Sequence, residues 1–377
     1  MQVLRITLLL AASAFAAAQS PPPPPWKMQE SGTTAGLRGI DSVDGTVAWA
    51  SGTGGTILKT IDGGAHWTKC AIPDAAKDGA TLDFRGVQAW DAKTAFVMAS
   101  GPGLKSRLYK TKDGCKTWKL NFKNFDKDGF WDALYFDRNG WGWLLGDPVK
   151  GRFALFFSDD KGKNWTRQTN KGLKVQSGTQ GAFAASNSSF YGNYLFAVFG
   201  TGGTGGTYIY TMNENVICVD ECAPDQSELD GRMNTWNHHS VPIAQGSAST
   251  GVYSVGERQY TKDPYSIAQT YLVLGGDYTK PNESAGTAAW SADDGVHWIA
   301  STTPPHGFRS AVQWSEALKA WITVGTNGSD ISRDDGKTWQ SLDDGNWNAL
   351  SLPFVVGPNG RIARINPATL PAGKIAP

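Results

Sequence analysis

The sequence predicts an all-β fold, a seven-bladed β-propeller with Asp-containing turns, whose N-terminal strand completes the last blade. Three observations predict it. Five segments, Thr60–Trp67, Thr111–Trp118, Ser158–Trp165, Ser291–Trp298 and Ser332–Trp339, place a hydroxyl residue seven positions before a Trp and an Asp five positions before it. The intervals between these tryptophans where the copies are consecutive, 51, 47 and 41 residues, are the length of a four-stranded blade. A second series supplies the expected inner strands, which line the channel: Leu37–Val43, Phe84–Trp90, Phe130–Phe136, Gly181–Ser186, Gly251–Val255, Phe308–Trp314 and Trp347–Leu352 make seven β-rich segments, one per blade, each followed by a further β stretch ending near Gly.

Each element has a physical reason. In the repeated octapeptide an Asp carboxylate accepts backbone N–H groups, a nearby Gly takes positive φ at no steric cost, and the hydroxyl closes the turn from the other side. The Trp then opens a strand and offers roughly 150–250 Å² of apolar surface to a neighbouring unit. Short β-rich stretches precede the turns, as in Thr56–Thr60, Arg107–Thr111 and Phe153–Ser158, so the unit reads strand, turn, strand. A further copy is split: Gly206–Thr211 supplies its strand and Asp230–Trp236 its turn, with an insertion between them. The seventh unit runs to Arg361–Ile365 and lacks a Trp strand, which Trp26–Ser31 offers. Such closure removes exposed sheet edges.

Residues 1–18 read as a secretory signal, with Arg5, an apolar run from Ile6 to Leu10 and small residues at Ala16–Ala18. Residues 19–25 form a Pro-rich leader, 26–366 the propeller and 367–377 a C-terminal tail. The expectation is an exported protein, secreted or periplasmic, without a membrane span, because the apolar run is too short to cross a bilayer. Lysine and arginine number 35 against 34 acids, a balance that argues for neither nucleic acid nor an anionic membrane as partner. Of the four cysteines, Cys218 and Cys222 are disulfide candidates within the insertion. Cys70 and Cys115 lie in neighbouring blades, and their pairing stays open.

The octapeptides match the Asp-box, or bacterial neuraminidase repeat. The whole chain also resembles a group of bacterial propellers described as similar to the photosystem II stability/assembly factor and sometimes labelled oxidoreductase or glycosyl hydrolase. That likeness is carried by Gly146–Phe153, Gly181–Ser186, Phe199–Gly203, Gly275–Tyr278 with Lys280 and Pro281, Phe308–Ser310 and Gly325–Asp330. It implies that the Asp-box residues Asp62, Trp67, Asp113, Trp118, Asp160, Trp165, Asp293, Trp298, Asp334 and Trp339 are scaffold at the blade periphery.

Function is sought instead at the channel mouth. Arg38, Arg85 and Arg309 stand near the starts of inner strands in three blades, where guanidiniums are able to converge on a carboxylate or phosphate. The alternative is that each pairs locally, with Asp41, Asp132 or Asp147. Asp132, Asp147, Asp277 and Tyr278 complete the expected ligand-binding set. Sialidases use three arginines in this manner, but they also need a nucleophilic Tyr with a Glu partner and an acid. Tyr278 and Tyr253 are candidates for the Tyr, no Glu is evidently placed, and an Arg-Ile-Pro motif is missing. The glycine-rich Gly200–Gly206 reads as a hairpin loop, since no helix follows it. The expectation is therefore a monomeric, non-enzymatic propeller of assembly-factor type, without cofactor or metal, holding a protein or peptide partner at the channel mouth. The alternative is a glycan-active hydrolase of sialidase-like architecture. Calcium binding stays open.

Overall fold

The structure, a computed structural model, describes residues 23–192, 196–213, 235–263 and 266–372. Seven antiparallel sheets follow one another along the chain. Blade 1 holds strands Leu37–Ser42, Ala48–Gly52, Ile57–Thr60 and Thr68–Lys69, from the channel outward. Blade 2 holds Phe84–Ala89, Ala95–Ala99, Arg107–Thr111 and Lys119–Lys123. Blade 3 holds Trp131–Phe136, Gly142–Val149, Arg152–Ser158 and Thr166–Arg167. Blade 4 holds Phe190–Gly192, Phe196–Gly200, Tyr208–Asn213 and Thr235–Ser240. Blade 5 holds Thr250–Asp263, Ser266–Asp277, Ala288–Ser291 and Ile299–Ala300. Blade 6 holds Ala311–Ser315, Ala320–Gly325, Gly328–Ser332 and Gln340–Asp343. Blade 7 holds Ala349–Ser351, Phe354–Val356 and Ile362–Ile365, and its outer strand is Trp26–Met28 from the N-terminal side, with Trp26 opposite Ile365 and Met28 opposite Ala363.

The apolar core is not central. It is divided into seven clusters, each at the junction of two neighbouring blades. A blade is thus apolar on both faces, which is why its middle strands, such as Ala48–Gly52 and Ala95–Ala99, are buried throughout rather than alternating. The turn tryptophans reach into these junctions toward the preceding blade: Trp67 lies edge-on to Phe354 of blade 7, and Trp118 edge-on to Trp49 of blade 1.

The turns are built alike. The hydroxyl residue donates to the Asp carboxylate, Thr60 to Asp62 at 2.8 Å for example, and accepts the N–H of Gly64, Cys115, Gly162, Gly295 or Gly336. Those acceptor-facing residues and the ones just before them all have positive φ, including Cys115 at 69°. Cys115 fills the place of a Gly because it is bonded to Cys70 of blade 1, an inter-blade disulfide. Cys218 and Cys222 lie outside the described residues, as do the signal segment, Asp230 and most of the insertion. Among the described residues no helix is long and apolar enough to cross a membrane.

Near the channel, polar side chains of one inner strand accept backbone N–H groups of the next. Ser351 accepts from Ser42, Asp41 from Ala89, Gln88 from Phe136, Ser254 from Val312 and Gln313 from Leu352. One expectation about this wall is corrected. Gly181–Ser186 is not the inner strand of blade 4; Phe190–Gly192 is. Gln180–Gly181 pairs instead with Gly202–Gly203 beside blade 5, and the segment that follows crosses the channel. There Ala184 O accepts from Arg85 of blade 2, Asn187 accepts from Leu134 of blade 3, Ser188 donates to Ser254 of blade 5 and Ser186 donates to Ser310 O of blade 6. Short side chains permit this path, and hydroxyl and amide groups satisfy the bonds a strand ladder would have made.

Candidate functional site

The crossing segment separates two cups, one at each end of the channel. Ala182 to Ala185 line one and Ser186 to Ser188 the other.

The first cup, of about 410 Å³, is walled by Arg38, Arg85, Asp132, Asp147, Tyr253 and Tyr278, with Phe130, Phe183 and Phe308 as its apolar surface. Arg38 and Arg85 sit at equivalent second positions of the inner strands of blades 1 and 2, which share the pattern of an apolar residue, Arg, Gly and a β-branched residue. The two guanidiniums share one carboxylate: Asp83 lies 2.8 Å from Arg85 Nε and 3.4 Å from Arg38 Nε. Burial pulls the Arg38 guanidinium down from its ordinary value, Asp83 opposes this, and neighbouring Arg85 adds to it. Arg85 also lies over the Phe130 ring.

Across the cup, Asp132 is buried and one of its carboxylate oxygens has no hydrogen-bond partner. Burial drives its pKa well up, nearby Asp147 adds to the rise, and Arg85 opposes it. Asp147 is likewise raised by burial, against the N–H that Ala182 donates to it at 3.0 Å. Two carboxyl groups biased toward their protonated form thus face two guanidiniums that share a single carboxylate. The cup presents guanidinium N–H donors opposite carboxyl groups that burial biases against ionisation, a surface able to receive an acidic group.

Phe183 stacks on Tyr253 with ring centres 4.0 Å apart, and Phe308 meets Tyr253 edge-on. The Tyr253 hydroxyl donates to Ser249 O, and Tyr278 stands half-exposed at the rim. Phe183 and Phe308 are a part of the wall that the sequence reading did not assign. The aromatic residue just before Arg309 and the one inside Gly181–Ser186 were the available signals.

Arg309 stands apart from this wall, so the three arginines do not converge. Its guanidinium is fully buried. Nε donates to Asp330 at 2.6 Å, Nη1 donates to Asn327 Oδ1 and to Phe308 O, and Nη2 contacts Asp330. The reason is register: Arg38 and Arg85 lie on their inner strands, whereas Arg309 precedes Ala311–Ser315 and its N–H bonds to Gly275 O of blade 5. Burial works against ionisation of Asp330, but bonds from His306 and the charge of Arg309 outweigh it and hold the carboxyl below its usual range. Asp277 also lies behind the wall, its carboxylate accepting the N–H and hydroxyl of Thr279.

The second cup is larger, about 750 Å³, and draws residues from all seven blades. It holds Asp41, whose carboxyl is pushed up to about 6 by burial against the Ala89 N–H. It also holds a Tyr–Glu pair: Tyr191 is raised by burial and by the nearby Glu257 carboxylate. The Tyr–Glu pair that sialidase chemistry requires therefore opens at the opposite mouth from Arg38 and Arg85. Among the described residues no group of three or more His, Cys, Asp or Glu side chains is gathered as for a metal ion.

The Asp turns lie at the outer rim on the side of the second cup. Each Asp accepts both the N–H and the side chain of the residue immediately before the Trp: His66, Thr117, Asn164, His297 and Thr338. That position always carries a donor side chain, a regularity present in the sequence and not used in reading it.

Fold and closure define a seven-bladed β-propeller whose ring is completed by its N-terminal strand. No protein-family model matches the chain. No curated protein matches it either. Solved structures do: one described as YCF48 bound to D1 peptide is 18% identical with a TM-score of 0.54, over 90% of this chain and 96% of that one. YCF48 from Cyanidioschyzon merolae is 17% identical with a TM-score of 0.56, over 91% and 99%. The likeness is one of fold.

Proposed function

We propose that the chain is a non-enzymatic binding protein of assembly-factor type that holds a peptide segment of a partner protein in the Arg38–Arg85 cup. The observation that carries the reading is the cup's polarity, two guanidiniums with one shared carboxylate opposite two carboxyls held toward neutrality, over an aromatic floor. That surface suits an acidic side chain flanked by apolar ones. One of the propellers of similar fold has been seen with a peptide bound, which supports a peptide as the ligand class. The signal-like residues 1–18 support action outside the cytoplasm. Tyr253 and Tyr278 have no Glu beside them in this cup, which favours binding over glycoside hydrolysis.

The test is fluorescence polarisation with short labelled peptides that differ only in carrying Glu or Gln between apolar residues. The Glu peptides should bind at least tenfold tighter, the margin of one charge-assisted contact of about 1.5–3 kcal/mol. Arg85→Ala should erase that preference. Because ionisation of Asp132 and Asp147 adds negative charge to the cup, affinity for the Glu peptides should fall as pH rises. Equal binding of both peptides, or turnover of fluorogenic sialosides by the cup, would defeat the reading.

A further inference from the structure

Charge that is balanced over the chain is not balanced over the molecule. Residues 83–174, which make blades 2 and 3, hold 18 of the 35 lysines and arginines but only 10 of the 34 acids. Part of the excess lies along the outer edge. Arg107 and Arg167 are already engaged, with Asp78 and Asp126. The lysines are not: Lys112, Lys119, Lys123, Lys161 and Lys163 are exposed and make no ion pair among the described residues.

Between the edge strand Lys119–Lys123 and the Asp turn of blade 3 runs a groove of about 440 Å³, walled by Lys110, Lys112, Lys119 and Lys163 with Leu120 exposed in it. Lys110 shows the crowding. Its ammonium lies 4.5 Å from the Phe96 ring centre and donates to Lys161 O. Burial lowers its pKa first, and Lys112 lowers it further. Of the acids nearby, Asp113 and Asp160 are held inside their own turns by Thr117 and Asn164 and Asp126 is paired with Arg167, which leaves Asp128 and Asp159 exposed against the five lysines.

A second, separate observation comes from the same blade. Phe125, just past the edge strand, is 74% exposed, with the Lys123 ammonium 5.5 Å from its ring centre. Leu120 is 48% exposed on the strand itself. Lysines on an edge strand commonly guard it against pairing with another sheet, which would account for Lys119 and Lys123. It does not account for Lys112, Lys161 and Lys163, which belong to turns, nor for the bare Phe125.

We propose that this edge docks on a bilayer surface bearing anionic phospholipids, the lysines over the headgroups and Leu120 and Phe125 in the interfacial layer. The chemistry favours lipid over an acidic protein. Protein interfaces are enriched in Arg and depleted in Lys, and at this edge Arg107 and Arg167 are paired with acids while the free cations lining the groove are lysines, point charges suited to headgroup phosphates. The near-zero net charge of the whole chain is no obstacle, because an exposed charge acts over about 8–10 Å at physiological salt. This inference does not depend on what the Arg38–Arg85 cup holds.

The experiment is sedimentation of the full chain with phosphatidylcholine vesicles, with and without one third phosphatidylglycerol. Binding should require phosphatidylglycerol and vanish near 0.5 M salt, where screening is nearly complete. Changing Lys112, Lys119 and Lys163 together to Glu should weaken binding by about 100-fold or more, from roughly 1 kcal/mol per lysine, whereas changing the same three to Arg should preserve it. Phe125→Ser should weaken binding several-fold with the salt dependence unchanged. Should the Glu variant not fold, the wild-type salt titration and Phe125→Ser decide. Vesicle binding that ignores phosphatidylglycerol, or that survives the Glu variant, would overturn the proposal. So would capture of the chain by soluble polyglutamate with no binding to vesicles, which would assign the edge to an acidic protein.

Discussion

Arg309 and Arg38 look alike in sequence, each in an inner-strand segment after an apolar residue, yet one is sealed in the wall and the other lines a cup. A single position of register decides this. Arg309 and Asp330 form a fully buried pair with His306 and Asn327 closing the remaining bonds. Removing one partner of such a pair leaves an unmatched charge out of water. Asp330→Asn should therefore cost about 3–5 kcal/mol of stability, read by urea unfolding, while Arg309→Met with Asp330→Leu should recover most of the loss. If Asp330→Asn unfolds like the wild type, Arg309 is not the buried cation described. The arginines were legible as residues worth attention. Which of them faces solvent was not, because exposure depends on the blade next door.

At the scale of an element, the Asp turn was almost fully legible. Hydroxyl, Asp, Gly and Trp each do what their chemistry suggested, and the exception, Cys115, is explained by its disulfide to Cys70. The carboxylates carry a pH signature. For Asp62, the His66 N–H leads and the His66 ring follows in pulling the pKa down to about 2; for Asp113, the Thr117 hydroxyl leads and its N–H follows, also to about 2. A folded pKa below the unfolded value near 3.9 means stability that is complete above that value and is lost as pH falls toward 2. Acid unfolding followed by tryptophan fluorescence should lie in that window. The double variant His66→Ala, Thr117→Val should raise its midpoint, and an unmoved midpoint would show that these turns do not set acid stability. The inner strand of blade 4 was misplaced at this scale: Gly181–Ser186 repeats the look of a channel segment, but its small residues suit a chain crossing the channel as well as a strand lining it.

Closure belongs to the whole molecule. The Trp26 indole is buried, donates to Ser329 of blade 6 at 2.9 Å and packs on Trp347 of blade 7. Three residues of strand thus join the two ends of the chain in one sheet and tie that sheet to blade 6. Trp26→Ala should cost about 3–5 kcal/mol, as for other buried aromatic truncations, measured by thermal or urea melts. A loss below about 1 kcal/mol would mean that the N-terminal strand decorates the ring rather than closing it.

The repeat spacing by itself determined the number of blades, the turns that punctuate them and the strand that closes the ring, because each of these rests on local chemistry repeated along the chain. Only the tertiary structure decided that the channel is crossed, that two arginines and two aspartates share a cup without Arg309, and that a chain of nearly zero net charge carries a strongly basic edge. Those outcomes depend on which residues of different blades end up within a few ångströms, and burial and electrostatic fields act through space rather than along the sequence.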